Sequence, residues 1–401
     1  MAIVDTNVLL NNPSVILEEK CYISIRVIEE LDRLKNNINA DLAFRARRAS
    51  RMIQSSENTE FILDRKDKLS VDDEIIWLAK KLKKKVITND LNMKIKCRAR
   101  DIECSSYEKT EKMYNGITYY PLPLSENKYH DTLAKILSTK QPPEDLERPL
   151  YENEFLIIQD SNNNNEIVVI FMYYKGQLEM VDRNYFNSSY LGKITSRNIE
   201  QECLMALLNK TEITILLATG GMGVGKSLLT TAYALQELEK GAISKIIYVP
   251  NNSFTENARE IGALPGTLEE KEELFLGTLY DMIGGYSVDR LLSQDQLEVA
   301  PISTMRGRNF TDSIVIVNEA QNLTDKHIKL LISRCGENCR IFFDGDIRQS
   351  DSYIFREKNG LVLLNKLKDS EDFGKLFGTV RLVQTERSKT AQAAGYLDTV
   401  K

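Results

Sequence analysis

"ATGGMGVGKSLLTTAYAL", residues 218–235, decides the fold, because it puts three glycines into four positions shortly before a lysine and a serine. The apolar run 215–217 precedes it, and its second half has the apolar spacing of a helix. Glycine lets a backbone approach a ligand without a Cβ clash and readily adopts positive φ. A strand, a glycine-rich loop and a helix in this order predict an α/β domain with a ligand at the loop.

The spacing of this loop satisfies the phosphate-binding pattern completely: Gly220, four residues, then Gly225, Lys226 and Ser227. Backbone N–H groups and the positive end of the following helix attract phosphate, Lys226 supplies a point charge, and the Ser227 hydroxyl suits Mg²⁺. We therefore expect a site for ATP and Mg²⁺ in nine consecutive residues: Gly220, Gly221, Met222, Gly223, Val224, Gly225, Lys226, Ser227 and Leu228.

Two further apolar runs end in acids that suit such a site. "SIVIVNEAQN", residues 313–322, ends a predicted strand at Asn318 and Glu319, and Glu319 is placed to polarise an attacking water as general base. "RIFFDGD", residues 340–346, ends in Asp344 and Asp346, with Gln349 close behind. We expect residues there to sense the γ-phosphate.

The C-terminal motifs resemble those of the PhoH-like ATPases, whose P-loop core looks helicase-related. The motifs that carry the resemblance are "GGMGVGKS" (220–227), "MRGR" (305–308), "NEAQN" (318–322), "DGDIRQSD" (344–351) and "VRLVQTERS" (380–388). The resemblance implies that Gln201 reads adenine and that Arg306, Arg308 and Arg387 contact the γ-phosphate or a neighbouring subunit's nucleotide. For each arginine a surface salt bridge is the alternative. The resemblance also implies a homo-oligomer, with a hexameric ring suggested.

One position departs from that family, which usually has Asp where Asn318 stands. An amide still accepts a hydrogen bond near Mg²⁺, but one negative charge is lost. The sequence therefore predicts nucleotide binding with weakened ATP hydrolysis, and a gain of Mg²⁺-dependent turnover in Asn318→Asp.

The N-terminal part carries four acidic residues in separate segments: Asp5 ends one predicted strand, Asp90 follows another, and Glu30 and Asp73 lie on predicted helices. Carboxylates that converge raise one another's pKa unless a cation neutralises them, so Mg²⁺ or Mn²⁺ is the expected partner. The segments "IVDTNVLL" (3–10), "IRVIEELDRLK" (25–35), "VDDEIIWLA" (71–79) and "VITNDLNMK" (86–94) resemble the PIN domain, a metal-dependent nuclease fold.

The resemblance selects Glu30 over Glu29 and Asp73 over Asp72, with Asn7 and Thr88 orienting ligands or water. Asp5, Glu30, Asp73 and Asp90 are thus the expected metal ligands and catalytic residues of the nuclease, as Ser227 is for the metal of the ATPase. The alternative is that these acids cap helices, since Asp72 is well placed as an N-cap.

Alternating strand and helix patterns organise the chain as an α/β protein with three predicted parts. These are a PIN-like domain with a parallel sheet (1–108), a linker with a small β-rich domain (109–194) and a P-loop helicase-like ATPase domain (195–401). Strands are predicted at 3–4, 22–24, 61–63 and 86–88. Residues 110–150 read as linker plus a helix near 127–138, and residues 154–186 as an antiparallel meander.

Composition and charge give expectations about the location and partners of the protein. The 401 residues have a formal net charge of −5, yet residues 1–110 carry 21 Lys and Arg against 18 Asp and Glu. No apolar run spans a bilayer, no signal peptide is evident, and the six scattered cysteines suit a reduced cytoplasmic protein without membrane partners.

The combined resemblance, to PIN–PhoH proteins, implies an ATP-dependent RNA helicase or translocase that feeds single-stranded RNA to a metal-dependent endoribonuclease. Two alternatives stay open. One is a nucleotide-gated RNA-binding or regulatory module with weak or no cleavage, and the other is a nuclease–ATPase that acts on DNA, because no reader of the 2′-hydroxyl is evident. The sequence shows no cluster of base-stacking aromatic residues.

Overall fold

The computed structural model describes residues 1–37, 40–66, 68–107, 113–123, 127–250, 268–349 and 359–386. The chain divides into two compact units, Met1–Lys112 and Met113–Lys401. Within the described residues, no helix combines the length and the apolar character that a membrane span requires.

The N-terminal unit is built on a five-stranded parallel sheet with the order β3-β2-β1-β4-β5. Its strands are β1 (Ala2–Val4), β2 (Cys21–Ser24), β3 (Thr59–Ile62), β4 (Lys85–Ile87) and β5 (Cys104–Ser105). Its helices are α1 (Thr6–Asn11), α2 (Val15–Glu18), α3 (Ile25–Leu34), α4 (Ala40–Ser55), α5 (Val71–Leu82) and α6 (Leu91–Arg98). The four predicted strands and the parallel sheet are confirmed, with strand ends shifted by one or two residues.

Helix α5 shows why this sequence folds as it does. Ser70 caps its N-terminus by accepting a hydrogen bond from the Asp73 N–H, so Asp72 is not the N-cap. Ile75, Ile76 and Ala79 are buried on one face, at the spacing of an amphipathic helix packed against a sheet. The helix ends at Lys83 in the left-handed conformation.

A six-stranded, wholly parallel sheet forms the centre of the C-terminal unit, with the order β14-β13-β15-β16-β12-β17. Its strands are β12 (Ile215–Gly220), β13 (Lys245–Val249), β14 (Leu297–Val299), β15 (Ser313–Val317), β16 (Cys339–Gly345) and β17 (Phe377–Leu382). The helices beside it are α8 (Ile199–Asn209), α9 (Lys226–Glu239), α10 (Leu268–Ile283), α11 (Gly285–Ser293), α12 (Asp325–Ile332) and α13 (Gly360–Leu364).

The β-rich region belongs to the same unit. A four-stranded sheet has the order β6-β7-β8-β9, from β6 (Ile117–Leu122), β7 (Glu154–Asp160), β8 (Glu166–Tyr174) and β9 (Gln177–Met180). The β7-β8-β9 meander is antiparallel as predicted, and helix α7 (Asn127–Thr139) lies where a helix was predicted. Strand β6, which pairs parallel to β7, falls in the span predicted as linker, so that part of the prediction is wrong.

This sheet packs on the P-loop part of the chain. Phe155 and Ile157 of β7 share one hydrophobic cluster with Leu204 of α8 and Leu216 of β12. A hairpin, β10 (Tyr185–Ser188) with β11 (Gly192–Thr195), adds Phe186 to the same cluster and also contacts α9. The β-rich region thus buries apolar surface together with the P-loop, although the domain boundaries at 108 and 194 stay predictions.

Candidate functional site

The glycine-rich loop leaves strand β12 between its two sheet neighbours, β16 and β17. Gly220, Gly223 and Gly225 all have positive φ, at 145°, 76° and 95°. A Cβ on Gly220 would lie 2.1 Å from the carbonyl oxygen of Leu382, and one on Gly225 would lie 2.8 Å from Nε2 of Gln201. The loop therefore requires glycine for backbone conformation and for space alike.

The lysine of the loop is held by the loop itself. Lys226 is buried, and its Nζ donates hydrogen bonds to the carbonyl oxygens of Gly220 (2.7 Å) and Gly221 (2.8 Å). The charge is thereby fixed at the mouth of the loop, where the N-terminus of α9 also points.

Ser227, the next residue, contacts a carboxylate that the sequence analysis named at the end of a strand but did not connect with Ser227. Its Oγ donates to Oδ2 of Asp344 at 2.6 Å, whereas Oδ1 of Asn318 lies 3.5 Å away. Burial raises the pKa of the Asp344 carboxyl, and the charge of Lys226 and the Ser227 hydroxyl oppose that rise. Asp344 stands in register with Ala218 of β12, a neighbourhood that sequence order alone did not reveal.

Glu319 follows β15 in the left-handed conformation, with φ of 51°. Its backbone N–H donates to Oδ1 of Asp344 at 2.8 Å, and its Oε2 accepts from Nε2 of Gln321 at 2.5 Å. A left-handed conformation costs a non-glycine residue about 1–3 kcal/mol and is concentrated at functional sites. Here it turns the backbone so that the Glu319 N–H reaches the Asp344 carboxylate.

Two predicted sensors of the γ-phosphate lie nearby. Asp346 is buried, and Nε2 of Gln349 donates to its Oδ2 at 3.2 Å. The Asp346 backbone N–H donates to Oε1 of Gln321, which joins these residues to the Glu319 turn. A Cβ on Gly221 would come within 3.9 Å of the Asp346 carboxylate, so Asp346 is adjacent to the glycine loop.

The glycine loop borders a cavity of about 520 Å³. Lys226, Ser227, Asn318 and Glu319 line it, together with Gln201. The donor set fits a magnesium–nucleotide complex, because a hydroxyl that can ligate a hard cation stands beside a fully buried carboxylate at hydrogen-bond distance.

Gln201 lines this cavity with both ends of its amide engaged. Nε2 donates to the carbonyl oxygen of Val224 at 3.0 Å, and Oε1 accepts from the Arg197 N–H at 2.9 Å. In this arrangement Gln201 fastens α8 to the glycine loop. Reading of adenine by this residue stays a prediction.

Of the three predicted arginines, Arg306 and Arg308 are described, and neither lines the cavity. Arg308 pairs with Glu298 at 2.5 Å and lies over the Phe310 ring, which is the salt-bridge alternative. Arg306 is exposed. Arg387 lies outside the described residues.

A second groove, of about 1090 Å³, adjoins the nucleotide cavity and shares Lys193, Thr195 and Arg197 with it. Tyr119 and Tyr185 line it with 43% and 56% of their surface exposed. Its charged lining residues are Arg183, Lys193, Arg197, Glu200 and Glu202. Aromatic and cationic side chains therefore do lie together here, because folding brings Tyr119 next to the segment 183–197.

In the N-terminal unit, Asp5 follows β1 and is buried. Burial raises the pKa of Asp5 to about 6, the Thr88 hydroxyl opposes the rise by donating to Oδ2 at 2.6 Å, and the charges of Asp72 and Glu30 add to it. Glu30 is joined to the same end of the sheet by the hydroxyl of Thr6, which donates to Oε2 at 2.6 Å. Its neighbour Glu29 pairs instead with Arg65.

The Asp73 carboxylate has two partners of its own, Lys96 and Ser70. The Lys96 ammonium at 3.1 Å and the Ser70 hydroxyl at 2.9 Å hold the Asp73 carboxylate and lower its pKa. The Asp72 charge, together with that of Glu30, acts on Asp5. The helix explains the difference, because Asp72 is three, four and seven positions before the buried Ile75, Ile76 and Ala79.

Asp90 caps helix α6, because its Oδ1 accepts from the Met93 N–H at 2.7 Å. Across the described parts of the chain, no group of three or more His, Cys, Asp or Glu side chains is arranged to hold a metal ion. The oxygen donors of Asp5, Glu30 and Asp72 fit a hard divalent cation in kind. Their closure around one stays a proposal.

Comparison with known proteins gives one family for the N-terminal part of the chain and another for the C-terminal part. A family model described as PhoH-like protein matches residues 193–394, and one described as PIN domain matches residues 2–108. Protein PhoH2 of Bacillus subtilis (strain 168) is 25% identical over 450 residues, which cover 98% of this chain and 99% of that protein.

Two further matches cover a smaller share of this chain. The PhoH-like protein of the same organism is 32% identical over 190 residues, 43% of this chain and 58% of that protein. Among solved structures, the Pif1 helicase from Candida albicans is 17% identical, with a TM-score of 0.27 over 51% of this chain and 43% of that one. A TM-score this low supports no inference about activity.

Proposed function

The chain belongs to the PhoH-like protein family and has a PIN domain at its N-terminus, and from that premise we propose that it couples ATP hydrolysis to endonucleolytic cleavage of single-stranded RNA. The observation that carries the proposal is the meeting of Lys226, Ser227 and Glu319 around one cavity at the carboxyl ends of parallel strands. The proposed ATPase site belongs to the C-terminal unit, and the proposed nuclease site belongs to the N-terminal unit.

The ATPase half follows from the cavity. On nucleotide binding, we expect the Lys226 ammonium to exchange the carbonyls of Gly220 and Gly221 for β- and γ-phosphate oxygens. Glu319 then orients the attacking water and accepts its proton, while Asp346 and Gln349 respond to loss of the γ-phosphate. Magnesium, when bound at Ser227, offsets the charge that develops on the phosphate oxygens.

The nuclease half rests on Asp5, Glu30 and Asp72. Burial is the main cause of the raised pKa of Asp5, and the negative charges of Asp72 and Glu30 add to it. We propose that Asp5, Glu30 and Asp72 would hold a divalent cation, Mg²⁺ or Mn²⁺, which would supply the Lewis acidity for phosphodiester hydrolysis. Thr88 and Thr6 orient two of the three carboxylates. Asp90 has a structural task already and is expected to contribute less.

The single-stranded RNA is proposed to lie in the groove next to the nucleotide cavity. Exposed rings of Tyr119 and Tyr185 offer stacking surfaces, and Arg183, Lys193 and Arg197 offer charge for the phosphates. Because the groove and the cavity share lining residues, we expect nucleotide binding in the cavity to change RNA binding in the groove, and RNA binding to change nucleotide binding.

The test is digestion of end-labelled single-stranded RNA by wild type, Asp5→Asn and Lys226→Ala, with metal and ATP varied independently. We expect Asp5→Asn to abolish cutting and keep ATP hydrolysis. Lys226→Ala should abolish hydrolysis and leave only ATP-independent cutting. Equal cutting by Asp5→Asn and wild type would refute the nuclease half. A parallel series on single-stranded DNA identifies the polymer.

A second candidate function is favoured by one observation. The described residues contain no ready-made metal group, and Lys96 already neutralises Asp73. In that case the PIN domain holds RNA without cutting it and the ATPase gates the binding. RNA binding that responds to ATP, without cleavage at any Mg²⁺ or Mn²⁺ concentration, would select this function.

Assembly into a ring, with six subunits as the expected number, is part of the proposal. The exposure of Arg306, away from its own cavity, suits a residue that acts on a neighbouring subunit's nucleotide. Light scattering with and without ATP measures the subunit number.

A further inference from the structure

The hydroxyl proton of Ser227 has two acceptors within reach, and they differ greatly in strength. A hydroxyl that gives its lone pair to a cation must donate its proton elsewhere. Oδ2 of Asp344 lies 2.6 Å from Oγ, a short charge-assisted distance, while the amide oxygen of Asn318 lies at the 3.5 Å limit of hydrogen bonding. The carboxylate is the acceptor.

Asn318 is occupied with another partner. Its Nδ2 donates to the hydroxyl of Tyr248 at 2.8 Å, and its backbone N–H donates to the carbonyl oxygen of Val249. Asn318 thus joins the ends of β15 and β13. It contributes an amide dipole near the cavity and no charge.

Asp344 also contacts both Ser227, the proposed magnesium ligand, and the backbone of Glu319, the proposed general base. Its second oxygen, Oδ1, accepts the Glu319 N–H at 2.8 Å, so one carboxylate fixes both Ser227 and the Glu319 turn. It is fully buried at the end of β16, where a solitary anion would be strongly disfavoured. A hydroxyl, an N–H and the nearby Lys226 offset part of that cost, and a cation at Ser227 would offset more.

We propose that Asp344 supplies the carboxylate of the magnesium site in this chain, on the strand next to the one where the family usually has it. The inference rests on the proposed ATPase function and changes one of its details: the pocket has a carboxylate at position 344, next to Ser227, although position 318 carries no charge. Asp344 is a positioning residue here, acting through Ser227 and Glu319.

This proposal reverses the effect that the sequence predicts for Asn318→Asp, which was a gain of Mg²⁺-dependent turnover. With the Asp344 carboxylate already in place, Asn318→Asp adds a further anion to the same pocket, and the two carboxylates repel each other. The substitution is therefore expected to give less than about a 3-fold gain in metal affinity. A site that lacked its carboxylate would gain about 10-fold or more, the usual size of a lost or restored metal-supporting group.

The experiment measures binding of Mn²⁺ by electron paramagnetic resonance at saturating non-hydrolysable ATP analogue, so that turnover plays no part. Wild type, Asp344→Asn, Asn318→Asp and the double exchange Asn318→Asp with Asp344→Asn are compared. We expect Asp344→Asn to lower Mn²⁺ affinity by about 10–100-fold. The double exchange should recover most of the loss by returning one carboxylate to the pocket. Nucleotide binding in EDTA, which depends on Lys226, verifies that each variant is folded.

The outcomes separate the two proposals. If wild type binds no Mn²⁺ with the nucleotide, the ATPase proposal fails and this inference fails with it. If wild type binds Mn²⁺ and Asp344→Asn binds it equally well, the inference alone is overturned. Should Asp344→Asn not fold, Asn318→Asp still decides, because a gain of 10-fold or more would place the missing charge at position 318.

Discussion

Asp5 ties stability to pH in the N-terminal unit. Its pKa is about 6 in the folded protein, against an ordinary value of 3.8. Between these values the folded state holds a proton that the unfolded chain has released, so stability falls as pH rises from about 4 to about 6 and stays lower above that. Two pH units correspond to about 3 kcal/mol. We expect this loss in metal-free protein and its absence in Asp5→Asn.

Trp77, the single tryptophan of the chain, provides the measurement, because it lies on α5 of this unit. Urea denaturation followed by its fluorescence in EDTA, at pH 4 and pH 7, gives the slope. Asp101→Asn, a change at an exposed carboxylate of the same unit, is the matched control and should keep the wild-type slope. A slope equally steep in Asp5→Asn would contradict the assignment.

Gln201 allows two roles to be told apart at a single residue. If it fastens the glycine loop, Gln201→Ala removes the hydrogen bonds to Val224 and Arg197, and we expect affinity to fall about 5–30-fold for ATP and GTP alike, as for one or two lost hydrogen bonds. If it reads adenine, only ATP binding falls. Equilibrium binding of both nucleotides decides, and a changed ratio of ATP to GTP affinity would exclude the purely structural role.

The residue types at the sites were predictable, but the choice between neighbours was harder. The P-loop positions follow from spacing, because phosphate chemistry leaves few alternatives there. Motif matching selected Asp73, which stays a prediction, while the structure adds Asp72 as a candidate because its charge raises the pKa of Asp5. Asp344 was named as an acid near the site, but its contact with Ser227 was not predictable, because it depends on β16 lying next to β12 and local sequence does not specify strand order.

At the level of elements, the glycine loop depends on its fit against β17. A Cβ at Gly220 would lie 2.1 Å from the Leu382 carbonyl oxygen, and the residue also has positive φ. We expect Gly220→Ala to separate β12 from β17 locally, to lower stability by about 3 kcal/mol or more, and to abolish nucleotide binding.

The matched control for that change is Gly241→Ala. Gly241 has φ of 71° after helix α9 and open space around its Cβ position, so strain acts there without a clash. We expect a loss of about 1 kcal/mol and unchanged nucleotide affinity. Thermal unfolding and ATP binding of the two variants give the comparison, and equal losses in both would show that steric contact with β17 is unimportant.

Strands with strong local patterns were predicted well, and strands defined by distant partners were not. The β7-β8-β9 meander has apolar runs and an Asn-rich turn of its own. Strand β6 carries Pro121 and alternating polar residues, and becomes a strand because β7, more than 30 residues later, offers a free edge for parallel pairing. Such pairings depend on the whole fold.

For the whole molecule, the informative feature is that each unit has a hydrophobic core of its own. In the C-terminal unit the β-rich sheet and the P-loop sheet are held together by more than apolar contact. Asn153 is buried before β7, and its Nδ2 donates to the carbonyl oxygens of Gly374 (3.3 Å), Lys375 (3.1 Å) and Phe377 (2.8 Å) at the start of β17. This one side chain joins the two sheets.

Asn153→Gly is the change that tests this joint, because Asn153 has φ of 65° and glycine keeps that backbone while removing the hydrogen bonds. We expect a loss of about 2–3 kcal/mol, since buried carbonyls are left unpaired. Hydrogen exchange should lose protection in β7 and β17 together, while the Trp77 transition of the N-terminal unit stays unchanged. Asn164→Gly, at an exposed turn with φ of 47°, is the control and should change neither. An equal shift of the Trp77 transition in Asn153→Gly would mean that the two units unfold as one, which their separate cores argue against.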